Sequence, residues 1–392
     1  MTLPFTMSRR GWTLLAVLMP LLLLFAWVAF RSGPLAPVNV TIAQVEERSI
    51  SPAMFGIGTV EARYTQKVGP TAAGRVTMVA VDVGDIVVAG QLLARRALEV
   101  AAAGGHHLLF SGPPGAGKTM LARRLATILP PLSTDEALTV TTIHSVAGTL
   151  PPGGGLLTAR PFRAPHHTCS EIALVGGGSH PRPGELSLAH HGVLFLDELP
   201  EFTRRVLETL RQPLELGTIT IARAARSATF PARVTLVGAM NPCPCGYAGD
   251  PRRQCRCTPV AVERYKSRLS GPMRDRFDLS VEVQAVPWRD LRATSPGEAS
   301  AVVRARVVAA RERQFARDGR LNARLDGPAL KRACALDAAG ERLLGKAMAR
   351  QFLSARGATR VLRVARTIAD LASRDVIDAG DVSEAIQFRL PA

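Results

Sequence analysis

The residues with the plainest chemical purpose are Gly112-Pro113-Pro114-Gly115-Ala116-Gly117-Lys118-Thr119, which fit G-x-x-x-x-G-K-[ST] between a buried-strand pattern and a helix former. Glycines let successive backbone N–H groups wrap phosphates, and the helix that follows adds its positive end. Lys118 then reaches the β and γ phosphates and Thr119 ligates Mg2+, so ATP with Mg2+ is the expected ligand pair. A second centre lies where the apolar run Gly192 to Leu196 ends in Asp197-Glu198. A continuously apolar strand suits the middle of a parallel sheet, whose carboxyl end is where ligands sit. There Asp197 is expected to hold Mg2+ and Glu198 to take the proton of an attacking water. A third strand pattern, Arg233 to Met240, ends at Asn241, which can orient that water or, before Pro242, simply turn the chain.

Four cysteines form a different pattern. Cys243 and Cys245 make one C-x-C pair and Cys255 and Cys257 another, nine residues further on, with Gly246, Gly249 and Asp250-Pro251 turning the chain between. Tetrahedral Zn2+ is one reading; free or redox-active thiols and disulfides are the others, since C-x-C is tighter than the usual C-x2-C. Cys169 and Cys334 read as core residues. Glu215 to Val237 reads as a hairpin whose basic tip, Arg223 and Arg226, either grips DNA phosphates or is a solvated turn. The arginines of Ser270 to Asp278 either complete a neighbouring subunit's site or form a solvated basic loop. In the Gly-, Pro- and His-rich stretch Thr149 to His191, the pairs His166-His167 and His190-His191 contact DNA or shape the loop; adjacent histidines seldom point at one ion.

These residues need a scaffold. The chain's 392 residues allow two to three domains, and 47% hydrophobic with 21% charged residues excludes a wholly disordered chain and a disulfide-stapled mini-protein. Lys and Arg number 49 against 32 Asp and Glu, a net +17 that favours an anionic partner, although an arginine-rich genome gives the same excess. Up to Ala94 the net charge is only +2; the remaining +15 and all six cysteines follow. Arg95 to Ala103 reads as a helix stopped by Gly104-Gly105, and Arg289 to Arg389 as helical throughout, with the seven arginines of Arg304 to Arg324 expected on a solvated face.

The front of the chain has another character. Gly11 to Phe30 is uncharged and long enough to cross a bilayer, so residues 11–30 are expected to be a transmembrane helix, with a signal peptide or a core helix as alternatives. Arg9-Arg10 before it predicts a cytoplasmic N-terminus and a single-pass, inner-membrane-anchored chain. Whatever follows then lies where ATP is scarce, a conflict of topology. Val38 to about Leu93 reads as short strands and turns.

Two family resemblances sit on these motifs. GPPGAGKT, RPFRAPHHT (Arg160 to Thr168), ALVGGGSHPRPGELSLAHHGVLFLDELPEF (Ala173 to Phe202), FPARVTLVGAMNPCPCG (Phe230 to Gly246), SGPMRDRFDL (Ser270 to Leu279) and SARGATRVLRVARTIADL (Ser354 to Leu371) together resemble the Mg-chelatase-like AAA+ ATPases of the ComM (YifB) group. The resemblance implies an α/β fold, a parallel-sheet AAA+ P-loop core at 89–290 with a C-terminal helical lid at 291–392. It makes Lys118 and Thr119 Walker A, Asp197 and Glu198 Walker B, Asn241 sensor 1, Arg276 the arginine finger and Arg356 sensor 2, with Arg363 its alternative. It further implies a cytoplasmic homo-hexamer that works as a helicase in branch migration on single-stranded or branched DNA. A chelatase-type ATPase subunit is the alternative. Such proteins begin with a Lon-protease-like domain, in place of which stand a tail (1–10), the apolar run and a segment, 31–88, that resembles half of the lipoyl-like domain of membrane fusion proteins. That second resemblance implies a membrane-anchored efflux adaptor fragment, with a fusion seam near Gly90 to Arg95.

Overall fold

The computed structural model describes residues 89–150, 153, 155–178, 180–223, 226–250, 253–285, 298–349 and 353–389, together with 12, 17–24 and 27. The chain divides into two units, Met1–Thr77 and Met78–Ala392. The adaptor-like segment 31–88 lies outside the described residues. In the first unit, residues 17–24 are helical and exposed. Among the described residues no helix is long and apolar enough to cross a membrane, which overturns the expected anchor through 11–30 and the inner-membrane placement derived from it.

The second unit is built on a parallel sheet of β1 (Leu108–Ser111), β2 (Phe162–Arg163), β5 (Val193–Leu196), β8 (Thr235–Met240) and β9 (Leu279–Glu282), in the order β2-β5-β8-β1-β9. Two antiparallel ribbons accompany it: β3 (Gly176–Gly177) with β4 (Arg182–Pro183), and β6 (Thr218–Arg223) with β7 (Arg226–Pro231). The strands are apolar on both faces because both are covered. Phe110, Val193 and Phe195 point into one core, with the helices Ala89–Gly104 and Lys118–Ile128; Leu109, Leu194 and Leu196 point into the other, with Leu174, Phe202 and Phe277. The result is three layers, helix on sheet on helix.

Helix Ala89–Gly104 begins before the expected Arg95, so GQLLA, which the adaptor resemblance claims, folds as part of the ATPase unit. The helices Ser300–Asp318 and Ala355–Leu371 share the first core with it. Of the seven arginines of Arg304 to Arg324, Arg304, Arg320 and Arg324 are exposed, as their spacing suggests, while others also bind the core. Arg311 Nε donates to Ala102 O at 2.8 Å, Arg306 pairs with Glu99 and Glu298, and Arg317 clasps Asp370 at 2.8 and 3.2 Å. Arg366 and Asp370 are fully buried together, with Asn322 Nδ2 donating to the same carboxylate. A second network spans the amino ends of the strands: the His107 N–H donates to Asp278, Arg360 of the last long helix reaches the same carboxylate, and His106 Nε2 lies 2.8 Å from Thr367 Oγ1.

Candidate active site

Strand order brings the site together. β8 lies between β5 and β1, so the three carboxyl ends present Asp197-Glu198, Asn241 and Gly112–Thr119 side by side. In-register pairing fixes the spacing: Leu196 is level with Gly238, and Ser111 with Met240. The loop from β1 needs its glycines. Gly115 and Gly117 take φ of 75° and 86°, and a Cβ on Gly112 would lie 2.1 Å from Val283 O. A Cβ on Gly115 would meet nothing, so the loop's outer side is open for a ligand, and helix Lys118–Ile128 starts behind it with no side chain capping its N-terminus.

Lys118 is buried and donates to Gly112 O at 2.6 Å, Pro113 O at 2.9 Å and Asn241 Oδ1 at 3.0 Å. Burial lowers its pKa below the ordinary lysine value, against the opposing charges of Asp197 and Glu198. Thr119 Oγ1 donates to Asp197 Oδ2 at 2.8 Å, while Asp197 Oδ1 accepts the Glu198 N–H at 2.9 Å. A hydroxyl and a carboxylate converging at the start of that helix are the hard oxygen donors that Mg2+ takes. Glu198 itself is exposed and holds a left-handed φ of 50°, costly for a residue with a Cβ and a usual sign of a functional position.

His167 is the residue whose role sequence reasoning missed. Its Nδ1 is 3.2 Å from Glu198 Oε2, and with Phe162, Phe195, Thr119 and Asp197 it lines a cavity of about 330 Å3 beside the carboxylates. Within RPFRAPHHT, His166 lines the same cavity, whereas the two arginines are structural: Arg160 binds Pro130 O, His191 O and Glu136, and Arg163 forms a two-pronged pair with Glu185 at 2.6 and 2.7 Å. His190 and His191 shape the loop, His190 Nδ1 accepting the Arg233 N–H and His191 pairing with Glu136.

Arg276 lies elsewhere. It precedes β9, whose parallel course puts it at the amino end of the sheet, across from Lys118. There it pairs with Glu215 at 2.6 Å, and its pKa is lowered by burial, then by the charges of Arg360, Arg211 and Arg356, against the attraction of Glu215. Arg356 is among the charges that act on Arg276. Arg363 is tied to Leu325 O at 2.7 Å within the helical region. The hairpin of β6 and β7 pairs Thr218 with Pro231 through to Arg223 with Arg226 at its turn. The four cysteines converge, their sulfurs all within 4.8 Å of one another.

A parallel sheet that gathers such a loop, two acids and an asparagine at adjacent carboxyl ends defines a P-loop nucleoside triphosphatase core. The model of the magnesium chelatase subunit ChlI family matches residues 83–291, and that of its C-terminal domain residues 297–389. The chain belongs to this Mg-chelatase family of AAA+ proteins. It is 49% identical over 310 residues to the uncharacterized protein YifB of Escherichia coli, and equally so over 310 residues to the competence protein ComM of Haemophilus influenzae. Each alignment covers 79% of this chain and 60% of the relative, so the chain spans about three fifths of those proteins. The magnesium-chelatase 38 kDa subunit of Rhodobacter capsulatus is 28% identical over 192 residues, 45% of this chain and 48% of the relative. The family match starts at residue 83, inside the segment expected to be adaptor, and nothing supports the resemblance to membrane fusion proteins.

Proposed function

We propose that the chain is an ATP-hydrolysing AAA+ motor that acts on DNA, with residues 89–290 as its ATPase core and 291–392 as its helical lid. One observation carries the reading: two hydrogen-bonded pairs, Lys118 with Asn241 and Thr119 with Asp197, stand side by side at the carboxyl ends of three adjacent strands. There, the N–H groups of Gly112 to Thr119 and the helix end receive the ATP phosphates. Lys118 exchanges its carbonyl partners for phosphate oxygens, a stronger, charge-assisted contact. Thr119 and Asp197 would hold Mg2+, which when bound would supply positive charge to the transferred phosphate. Glu198 accepts the proton of the attacking water, Asn241 orients that water, and His167 holds the Glu198 carboxylate in position. Because Arg276 lies at the amino end of the sheet, away from this site, it serves a neighbouring subunit together with Arg356, which requires a ring; a homo-hexamer is the family's usual form.

The DNA half of the proposal is supported by the +15 carried from Arg95 onward, by the hairpin with Arg223 and Arg226 at its turn, and by the competence-protein name of a close relative. A chelatase-type motor is the second reading, favoured by the family model and the Rhodobacter subunit. ATP hydrolysis by the full chain with and without branched DNA separates them. Hydrolysis that rises with DNA and is lost in Lys118→Ala supports the first; hydrolysis indifferent to DNA supports the second.

A further inference from the structure

The four-cysteine loop belongs to none of the steps above, yet it sits against them. Cys243 Sγ lies 3.4 Å from Cys245 Sγ and 3.7 Å from Cys255 Sγ, and Cys245 and Cys255 are also 3.7 Å apart. These separations are far beyond the roughly 2.05 Å of a disulfide, and all four thiols are free. Four sulfurs bound tetrahedrally at about 2.3 Å from Zn2+ would stand roughly 3.8 Å apart, close to what the loop presents. Backbone amides already face the sulfurs: Ala248 N–H donates to Cys243 Sγ at 3.3 Å and Cys257 N–H to Cys255 Sγ at 3.4 Å. Such outer contacts stabilise thiolates and orient metal ligands.

Both limbs of the loop lead back to the nucleotide cradle. The first leaves β8 through Asn241, which accepts the Lys118 ammonium, and reaches Cys243 two residues later. Gly246, at a φ of 84°, rests on the phosphate loop so closely that a Cβ there would lie 2.7 Å from Pro114 Cδ. The second limb runs from Cys257 through the N-cap Thr258 into helix Pro259–Ser267, whose Tyr265 hydrogen-bonds the backbone of Asn241. Asn241 is therefore held from both ends of a segment that the four sulfurs close.

We infer that Cys243, Cys245, Cys255 and Cys257 bind one Zn2+ as a structural tetrathiolate, and that this clamp fixes Asn241 and Pro114 so that metal occupancy sets how tightly the chain holds ATP. The metal-binding half stands on the sulfur geometry alone; the coupling rests on the proposed nucleotide site. The closing experiment uses the full chain purified without chelator. Metal analysis is expected to find one zinc per chain, and Co2+ replacement to give the visible bands of a tetrahedral thiolate site. Removing the metal is expected to weaken binding of a fluorescent ATP analogue several-fold, with recovery when Zn2+ is returned. Cys255→Ser with Cys257→Ser should reproduce the loss, and the removal-and-return cycle decides the matter even where that variant folds poorly. A chain that neither carries zinc nor takes it up overturns the site. Zinc that comes and goes without changing ATP affinity overturns the coupling. Failure of the zinc-loaded chain to bind ATP at all would instead sink the nucleotide reading, with the zinc measurement standing apart from it.

Discussion

At the scale of single residues, the site's division of labour rests on what each side chain touches. Lys118 is preorganised: its three acceptors already converge, so in the proposed reaction phosphate oxygens would replace partners in a position the ammonium occupies beforehand. Glu198 is the opposite, an exposed carboxylate on a strained backbone, whose direction depends on the His167 ring 3.2 Å away. His167→Ala should lower kcat for ATP about tenfold while KM moves little, because His167 positions the base and touches no phosphate. His167→Gln, which can still donate to Glu198, should recover part of that loss; steady-state kinetics on the three proteins measures both. Equal losses in KM and kcat would place His167 in substrate binding instead. The P-loop, the two acids and Asn241 were legible in the sequence because each is local, a loop or strand end with its chemistry in consecutive residues. His167 was not legible, since its role follows from β2 pairing with β5, a contact between residues far apart in the chain.

At the scale of elements, the helices after Ser300 are bound to the core by buried charge as much as by apolar packing. Asp370 receives Arg317, Arg366 and Asn322, and Arg366 is buried with it. Asp370→Ala should cost about 3 to 5 kcal/mol, because it leaves a buried guanidinium uncompensated; chemical denaturation reads this directly, and a loss below about 1 kcal/mol would show the pair to be incidental. The arginine spacing of Arg304 to Arg324 suggested solvent exposure, which holds for Arg304, Arg320 and Arg324 and not for the half-buried Arg311. Charge patterns report which faces are polar, while the partners that bury them come from Glu99, Ala102 and Asp370, distant in sequence. The β6–β7 hairpin was readable, with its alternation and basic turn in one stretch. If it grips phosphates, Arg223→Ala with Arg226→Ala should weaken DNA binding and flatten its dependence on salt by about one to two unit slopes, without changing ATP hydrolysis in the absence of DNA. Unchanged salt dependence would leave the hairpin without a DNA role.

At the scale of the whole molecule, two buried imidazoles at the ends of the sheet set its response to acid. Burial holds His107 down to about 4 and His190 down to about 3, each accepting a backbone N–H through Nδ1. An unfolded imidazole titrates near 6.5, so between about 6.5 and 4 the unfolded chain binds more protons than the folded one. Stability is then complete above 6.5 and falls as pH drops, by on the order of 3 kcal/mol for His107 alone. Melting temperatures should therefore decline from pH 7 to 4.5, less steeply in His107→Asn; an identical slope in that variant would remove His107 from the account. The apolar run near the N-terminus was the broadest misreading at this scale. Composition over 11–30 satisfied a length rule, whereas among the described residues no helix is long and apolar enough to span. The conflict between an outward-facing ATPase and its ATP supply rested on that anchor.

The central claim, a P-loop motor that works on DNA, is tested most directly by steady-state ATP hydrolysis of the full chain titrated with branched DNA, with Glu198→Gln run in parallel. The account predicts a rate that climbs with DNA and saturates, and a variant that binds ATP yet turns over at least about a hundredfold more slowly. Hydrolysis that ignores DNA, or that persists undiminished in Glu198→Gln, would contradict it.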